Sequence, residues 1–262
     1  MQDLIITSWL ELQERLYEGS WNERLGRFRS TCAYRGMEVA SFDLTTSLCR
    51  LGGDYARHED DLLRNFKKYA HEHAAMGDSV WNWLALAQHH GLPTRMLDWT
   101  YSPYVALHFV TADVELFGQN GVVWVVDYTK SNNLLPSSLK AILERYDTSI
   151  FTAEMLSEAA PTLAEFNRLA DEDFVAFLEP PSLDERIVNQ YALFSLMSSP
   201  ATHLDQWLVA HPHLFRRLII PSSLKWEIRD KLDQANITER VLFPGLDGLS
   251  SWLKRYYSPR DR

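Results

Sequence analysis

The chain has 262 residues, 46% of them hydrophobic, which is enough for a sizeable core and near the upper end of one domain. Its formal charge of −9, with no run of Lys and Arg, argues against sequence-independent nucleic-acid binding, which needs clustered cations to neutralise phosphates. Cys32 and Cys49 lack zinc-site or disulfide-framework spacing, and neither a signal segment nor an apolar run of about 18 residues is visible, so a cytoplasmic protein without a membrane partner is expected.

Taken in chain order, Ser8 and Glu11 form a capping-box pattern ahead of Leu10, Leu12 and Leu16, which predicts a short opening helix ended by Gly19. Thr31 to Gly36 reads as a brief strand that places Arg35 near its end, with Gly36 releasing the chain into a turn. Helical spacing of Leu62, Leu63, Phe66, Tyr69 and Ala70 predicts a helix from Glu59 to Met76, closed by Gly77. Ser79 caps a second helix running to His90, with Gly91 as its terminator. Leu92 to Thr100 is expected to be a loop, and Ser102-Pro103 opens a helix through Val105, Ala106 and Phe109.

The unbroken run GVVWVVD, Gly121 to Asp127, suits a central strand buried on both faces. Further strands are expected at Phe174 to Leu178, Leu193 to Met197 and Phe215 to Ile220. The stretch 129–173, broken by Pro136 and Pro161, reads as a helical insertion over one sheet edge. Ser222 is expected to cap a helix carrying Leu224, Ile228 and Leu232, and Asp247 to cap a last helix after Phe243-Pro244-Gly245. These elements make one α+β domain over 1–262, a central, largely antiparallel sheet flanked by helices.

Polar residues crowd into Gln88-His89-His90-Gly91-Leu92-Pro93-Thr94-Arg95-Met96-Leu97-Asp98-Trp99-Thr100. A purely architectural account pairs Arg95 with Asp98, gives Thr94 and Thr100 to backbone groups, and lets His89 and His90 cap a helix end. A functional account makes the same segment one wall of a ligand site, since polar loops on rigid elements are where function concentrates. The histidines invite a metal reading, but His71-Glu72-His73 lacks the i, i+4 spacing that puts two ligands on one helix face, and no metal is expected.

Tyr34-Arg35-Gly36, the run from Ala87 to Thr100, and Ser102-Pro103 with Ala106 and Phe109 resemble the signature of the FRG domain. Arg186-Ile187-Val188-Asn189-Gln190 with Phe194, and Leu242 to Gly248, resemble its downstream elements, so the resemblance spans about residues 5 to 255. A second resemblance is to ADP-ribosyltransferases, in which a strand-end Tyr-Arg-Gly precedes Thr-x-Ser-x3-Ala-x2-Phe and a β run. It implies an ADP-ribosyltransferase-like fold and NAD as substrate. Arg35 would then hold the NAD phosphates or a ribose, for which its bidentate donor fork is suited.

On that resemblance the residues expected to act in catalysis are Arg35, His89, Asp98, Gln190 and Glu185. Those expected to contact the nucleotide are Tyr34, Arg35, Gly36, His90, Thr94, Arg95, Thr100 and Ser102. The segment matching the transferases' last motif, Arg186 to Ala192, has no acid where they carry a glutamate, which leaves Glu179, Glu185 and Asp98 as candidate carboxylates. The expected activity is ADP-ribosyl transfer or NAD hydrolysis, in a toxin or antiphage setting, with an unidentified protein or nucleic-acid acceptor. Two other classes stay open: a non-catalytic nucleotide- or nucleic-acid-sensing module, and a protein-interaction domain that uses exposed aromatics.

Overall fold

A computed structural model describes residues 3–70, 77–182 and 184–259. The chain begins with β1 (Asp3–Ile5), α1 (Trp9–Leu16), a two-stranded ribbon of β2 (Trp21–Asn22) and β3 (Arg27–Phe28), and β4 (Cys32–Met37). Helices α2 (Tyr55–Ala70) and α3 (Val80–His89), strand β5 (Met96–Thr100), α4 (Pro103–Val110) and β6 (Gly121–Asp127) follow. Next come the short helices α5 (Tyr128–Ser131), α6 (Ser137–Arg145), α7 (Ala153–Ala159) and α8 (Leu163–Phe166), then β7 (Val175–Leu178), α9 (Glu185–Asn189) and β8 (Ala192–Met197). The chain closes with α10 (Leu204–Ala210), β9 (Phe215–Ile220), α11 (Ser222–Gln234), α12 (Glu239–Leu242) and α13 (Leu246–Tyr256). Among the described residues no helix is long and apolar enough to cross a membrane.

Seven strands form one sheet in the order β1-β9-β6-β4-β5-β8-β7, antiparallel except for the parallel β1–β9 pair. The GVVWVVD run is an inner strand, as its apolar composition requires. Strand parity then sorts the side chains between faces. On one face Cys32, Tyr34, Val123, Val125, Leu218 and Ile220 pack against α1, α4 and α11. Farther along that face, Met96, Phe194, Leu196, Ala176 and Leu178 pack against α3, α6, α7 and α8. The opposite face, with Ala33, Met37, Leu97, Trp99, Trp124 and Phe177, is covered by Leu204, Trp207 and Leu208 of α10. One face therefore carries two helical layers side by side, and they meet over the line between β4 and β5.

That line is where the sheet opens. Strands β4 and β6 stay in register from Cys32↔Asp127 to Met37↔Val122, and β5 and β8 over all of β5. Strands β4 and β5 pair only at Tyr34↔Thr100 and then diverge. The helical stretch 129–173 supplies core side chains to the β5-β8-β7 half, and Phe151 bridges to Leu178 at the β7 edge.

Several local expectations need correction. Residues 96–100 are a strand inside the sheet, not part of a loop. Leu97-Asp98-Trp99-Thr100 does alternate, with Leu97 and Trp99 buried and Asp98 lining the opening, but Pro93 and the polar residues ahead of it read as a loop. Gly36 sits inside β4, not at a turn. Ser8 caps α1, but Glu11 reaches back to Thr7 (2.8 Å to its N–H) instead of closing a box with Ser8. Ser222 is the first residue of α11, with Pro221 at the cap, and Asp247 lies in the first turn of α13 behind Gly245. The end of the helix expected to run to Met76, with His71 and His73, falls outside the described residues.

Candidate functional site

The divergence of β4 from β5 leaves a cavity of about 340 Å³, at the lower end of the roughly 300–1,000 Å³ typical of ligand sites. Two devices keep it open. Gly36 lets α4 approach β4, since a Cβ there would stand 1.7 Å from the Ala106 carbonyl oxygen. Ser102 accepts from the Val105 N–H and Pro103 fills the first turn, so α4 starts at the seam's vertex and sends Phe109 to the cavity wall.

Arg35 lies in the opening. Its Nη1 donates to the Asp98 carbonyl across the seam (2.5 Å), while its buried Nε–H has no hydrogen-bond partner among the described residues. Burial pulls the guanidinium below its usual pKa, Asp98 and Glu38 work the other way, and Arg50 adds to the lowering. An arginine keeps its charge under such pressure. Arg35 lines the cavity, and a guanidinium on a cavity wall offers donors that a ligand can satisfy.

The opposite wall is braced by a relay. Thr94 accepts from the Met96 N–H (3.1 Å) and donates to Gln88 Oε1 (2.5 Å), and Gln88 Nε2 donates to Asp98 Oδ2 (3.0 Å). The chain fixes the Asp98 carboxylate from behind. His89 also lines the cavity, and its Nε2 lies 2.6 Å from Asp184 Oδ2. Partial burial pushes the Asp184 carboxyl up, but the Ile187 N–H and His89 together hold it below the ordinary value.

The floor comes from α9 and β8. Gln190 donates to the Leu242 carbonyl (3.0 Å), Asn189 to that of Val241 (2.8 Å), and the Arg186 guanidinium lies 5.0 Å from the Phe243 ring centre. Val241, Leu242 and Phe243 thus anchor the segment that brings Arg186, Ile187 and Gln190 to the cavity. Gly248 makes that anchor possible, because a Cβ there would stand 1.8 Å from the Phe243 carbonyl oxygen.

Of the residues singled out from sequence, Tyr34, Arg35, Gly36, His89, Asp98, Thr100 and Gln190 come together around this cavity. Tyr34 borders it with its ring committed elsewhere: it is buried, and its hydroxyl donates to the Leu16 carbonyl (2.9 Å), so it offers no face to a base. Thr100 donates to the Gln190 carbonyl (2.7 Å) and accepts from the Ser102 N–H (2.9 Å), which ties the vertex together.

Six candidates are placed elsewhere. Arg95 is 3% exposed and grips Glu59 with Nε and Nη2, while Nη1 reaches Asn167 (2.6 Å) and the Ser198 carbonyl (3.1 Å). It pairs with neither Asp98 nor the cavity. Thr94 stands one step behind the wall through Gln88, Ser102 acts as a helix cap, and His90 is exposed at the end of α3. Glu185 is exposed in the first turn of α9, and Glu179 accepts from the Tyr101 hydroxyl (2.7 Å) outside the cavity lining.

Four lining residues escaped the sequence reading: Met37, Glu38, Phe42 and Arg50. Glu38 had a usable signal, since it shares strand parity with Gly36 just beyond β4. Phe42 and Arg50 had none, because the course of an irregular segment decides where they point.

Of the resulting set of three guanidiniums, two carboxylates and an apolar wall, Arg35, Asp98, Phe109 and Arg186 lie on the segments that carry the motifs, and Glu38, Phe42 and Arg50 lie between them. Residues 30–118 match the FRG domain. The FRG segment takes in β4, β5 and α4, hence both sides of the seam, whereas Arg186, Gln190 and Phe243 lie beyond it. No curated protein and no solved structure matches the chain.

Proposed function

We propose that the seam cavity binds NAD and that the protein consumes it, by ADP-ribosyl transfer or by hydrolysis. The observation that carries this reading is Arg35, a half-buried guanidinium that makes one hydrogen bond among the described residues and lines a cavity with Arg50 and Arg186. Guanidiniums in a confined space suit the oxygens of a diphosphate, and each charge-assisted hydrogen bond to one is stronger than a neutral bond. The carboxylates of Glu38 and Asp98 in the same cavity suit the cationic nicotinamide end. A sheet that splits beside an arginine-bearing strand, with Thr100 and Ser102 at the vertex, is the basis for reading the fold as ADP-ribosyltransferase-like. A toxin or antiphage effector acting on cellular NAD is the setting this chemistry fits.

The test is release of nicotinamide from NAD by the purified protein, compared with Arg35→Ala. Release by the wild type and its loss in the variant, with circular dichroism unchanged, is the expected result. The sensing reading draws on a different observation, the occupation of Gln190 Nε2 by the Leu242 carbonyl in the segment where transferases carry a glutamate. It requires saturable nucleotide binding without release.

A further inference from the structure

Cleaving the bond between ribose and nicotinamide builds positive charge on the sugar, and a nearby carboxylate lowers the cost of that charge. The described cavity lining contains two carboxylates, Glu38 and Asp98. Asp98 stands on β5 and Glu38 just beyond the end of β4, and they differ in how they are held. Asp98 is engaged, its Oδ2 accepting from Gln88 Nε2 and its carbonyl accepting from Arg35.

Glu38 hydrogen-bonds through its main chain, where the carbonyl accepts from Lys225 Nζ (2.7 Å). Its carboxylate takes no hydrogen-bond or ion-pair partner among the described residues. Lys225 is fully buried and also donates to the Leu116 carbonyl (2.9 Å), so the backbone at Glu38 is clamped while the side chain borders the cavity. Such a group is fixed at its root and free at its tip. Arg35 and Glu38 lie three residues apart on one strand and its exit, and both carboxylates favour the charged form of the Arg35 guanidinium.

We infer that Glu38 is the catalytic carboxylate of this cavity, with Asp98 as a positioning residue that holds Arg35 and the seam wall. The inference rests on the NAD reading. In the step it describes, the C1′–N bond breaks and nicotinamide leaves with the bonding pair. The Glu38 carboxylate faces the charge that develops on the ribose. Water, or a hydroxyl of an acceptor, then forms the new C1′–O bond and gives its proton to Glu38, which releases it to solvent. Hydrolysis so written turns NAD and water into ADP-ribose, nicotinamide and one proton. The acid comes from just beyond the end of the arginine's own strand, not from the downstream segment in which transferases carry it.

The experiment follows nicotinamide release and, by titration calorimetry, NAD binding in the full chain and in Glu38→Gln and Asp98→Asn. Glu38→Gln is expected to slow release by about a hundredfold or more, the scale on which losing one charge-stabilising group acts, while binding stays within about threefold. Glu38→Asp should restore part of the release, which a merely structural role would not produce. If Glu38→Gln is unfolded by circular dichroism, Glu38→Asp and Glu38→Ser carry the test, with partial release from the first and none from the second. Release from Glu38→Gln at the wild-type rate, or loss confined to Asp98→Asn, overturns the assignment and leaves the NAD reading intact. Absence of release from the wild type overturns both.

Discussion

Two regions flanking α4 gather the same kinds of side chain and bring them to different ends. On one side lies the seam cavity, with Arg35, Arg50 and Arg186 against Glu38 and Asp98. On the other, His108 meets Arg229, Asp233, Glu239 and Arg255 in a cluster that joins α4, α11, α12 and α13. There Arg255 bonds both carboxylates, with Nε 2.5 Å from Glu239 and Nη2 2.7 Å from Asp233. Arg229 donates to Asp233, to the Ile237 carbonyl and to His108 Nδ1 (2.9 Å). An arginine can only donate, so His108 must accept at Nδ1 and is neutral. The cluster pairs its charges internally, as Arg95 does with Glu59, although the Arg229 Nε–H takes no partner among the described residues. The cavity leaves some of its own uncommitted, and that contrast separates architecture from function here more sharply than residue type does.

The contrast is open to direct attack. The largest effect is expected at Arg95: replacement by Ala strands Glu59 as a buried charge and should cost about 3–5 kcal/mol in chemical denaturation. Removing both charges with Arg95→Leu and Glu59→Leu should return stability close to that of the wild type, because a buried pair gains little over a packed apolar one. A double variant as unstable as the single one would show that Arg95 has partners more important than Glu59.

Arg35→Ala should do the reverse. Its loss is expected in NAD affinity, by about 1.5–3 kcal/mol for a charge-assisted bond, with the denaturation midpoint almost unmoved. Calorimetry and denaturation on the same preparation check both halves. A large fall in stability would place Arg35 with the closed clusters.

The next effect is one of pH. Burial first, then the charge of Arg229, push the His108 imidazole from its ordinary 6.5 down to about 3. Between those values the unfolded chain binds a proton that the folded chain does not. The contribution is therefore whole above pH 6.5 and is lost as pH falls toward 3, at about 1.4 kcal/mol for each unit. His108→Gln, which keeps an acceptor, should flatten that acid limb of the stability curve. An unchanged slope would mean that His108 charges freely in the fold.

The smallest effect belongs to the relay. Gln88→Ala removes one hydrogen bond from Asp98 and one from Thr94 and should cost about 1 kcal/mol, with a loss of NAD affinity smaller than that of Arg35→Ala. An effect equal to that of Arg35→Ala would mean that the wall, not the arginine, controls binding.

Much of this was legible in the sequence, and the gaps have identifiable causes. The caps of α3 and α4, the inner strand at Gly121–Asp127 and the strand bearing Arg35 follow from local rules, because hydrophobic period and capping side chains act over a few residues. The three-residue β1 and the ribbon of β2 and β3 are too short to show a period. Strand β5 was hidden because Pro93 and the polar residues ahead of it read as one loop with it, although Leu97-Asp98-Trp99-Thr100 alternates.

By itself, then, the sequence determined most of the longer helices and the inner strand at Gly121–Asp127, that Arg35 stands near a strand end, and that the run from Gln88 to Thr100 carries polar groups beyond the needs of packing. Tertiary structure alone decided that Arg95 is buried on Glu59 while Arg35 faces a cavity, and that Glu38 and Arg50 share that cavity. The reason is that side-chain partners are set by the pairing of strands distant in the chain and by the splitting of two of them. No pattern confined to a few neighbouring residues records either.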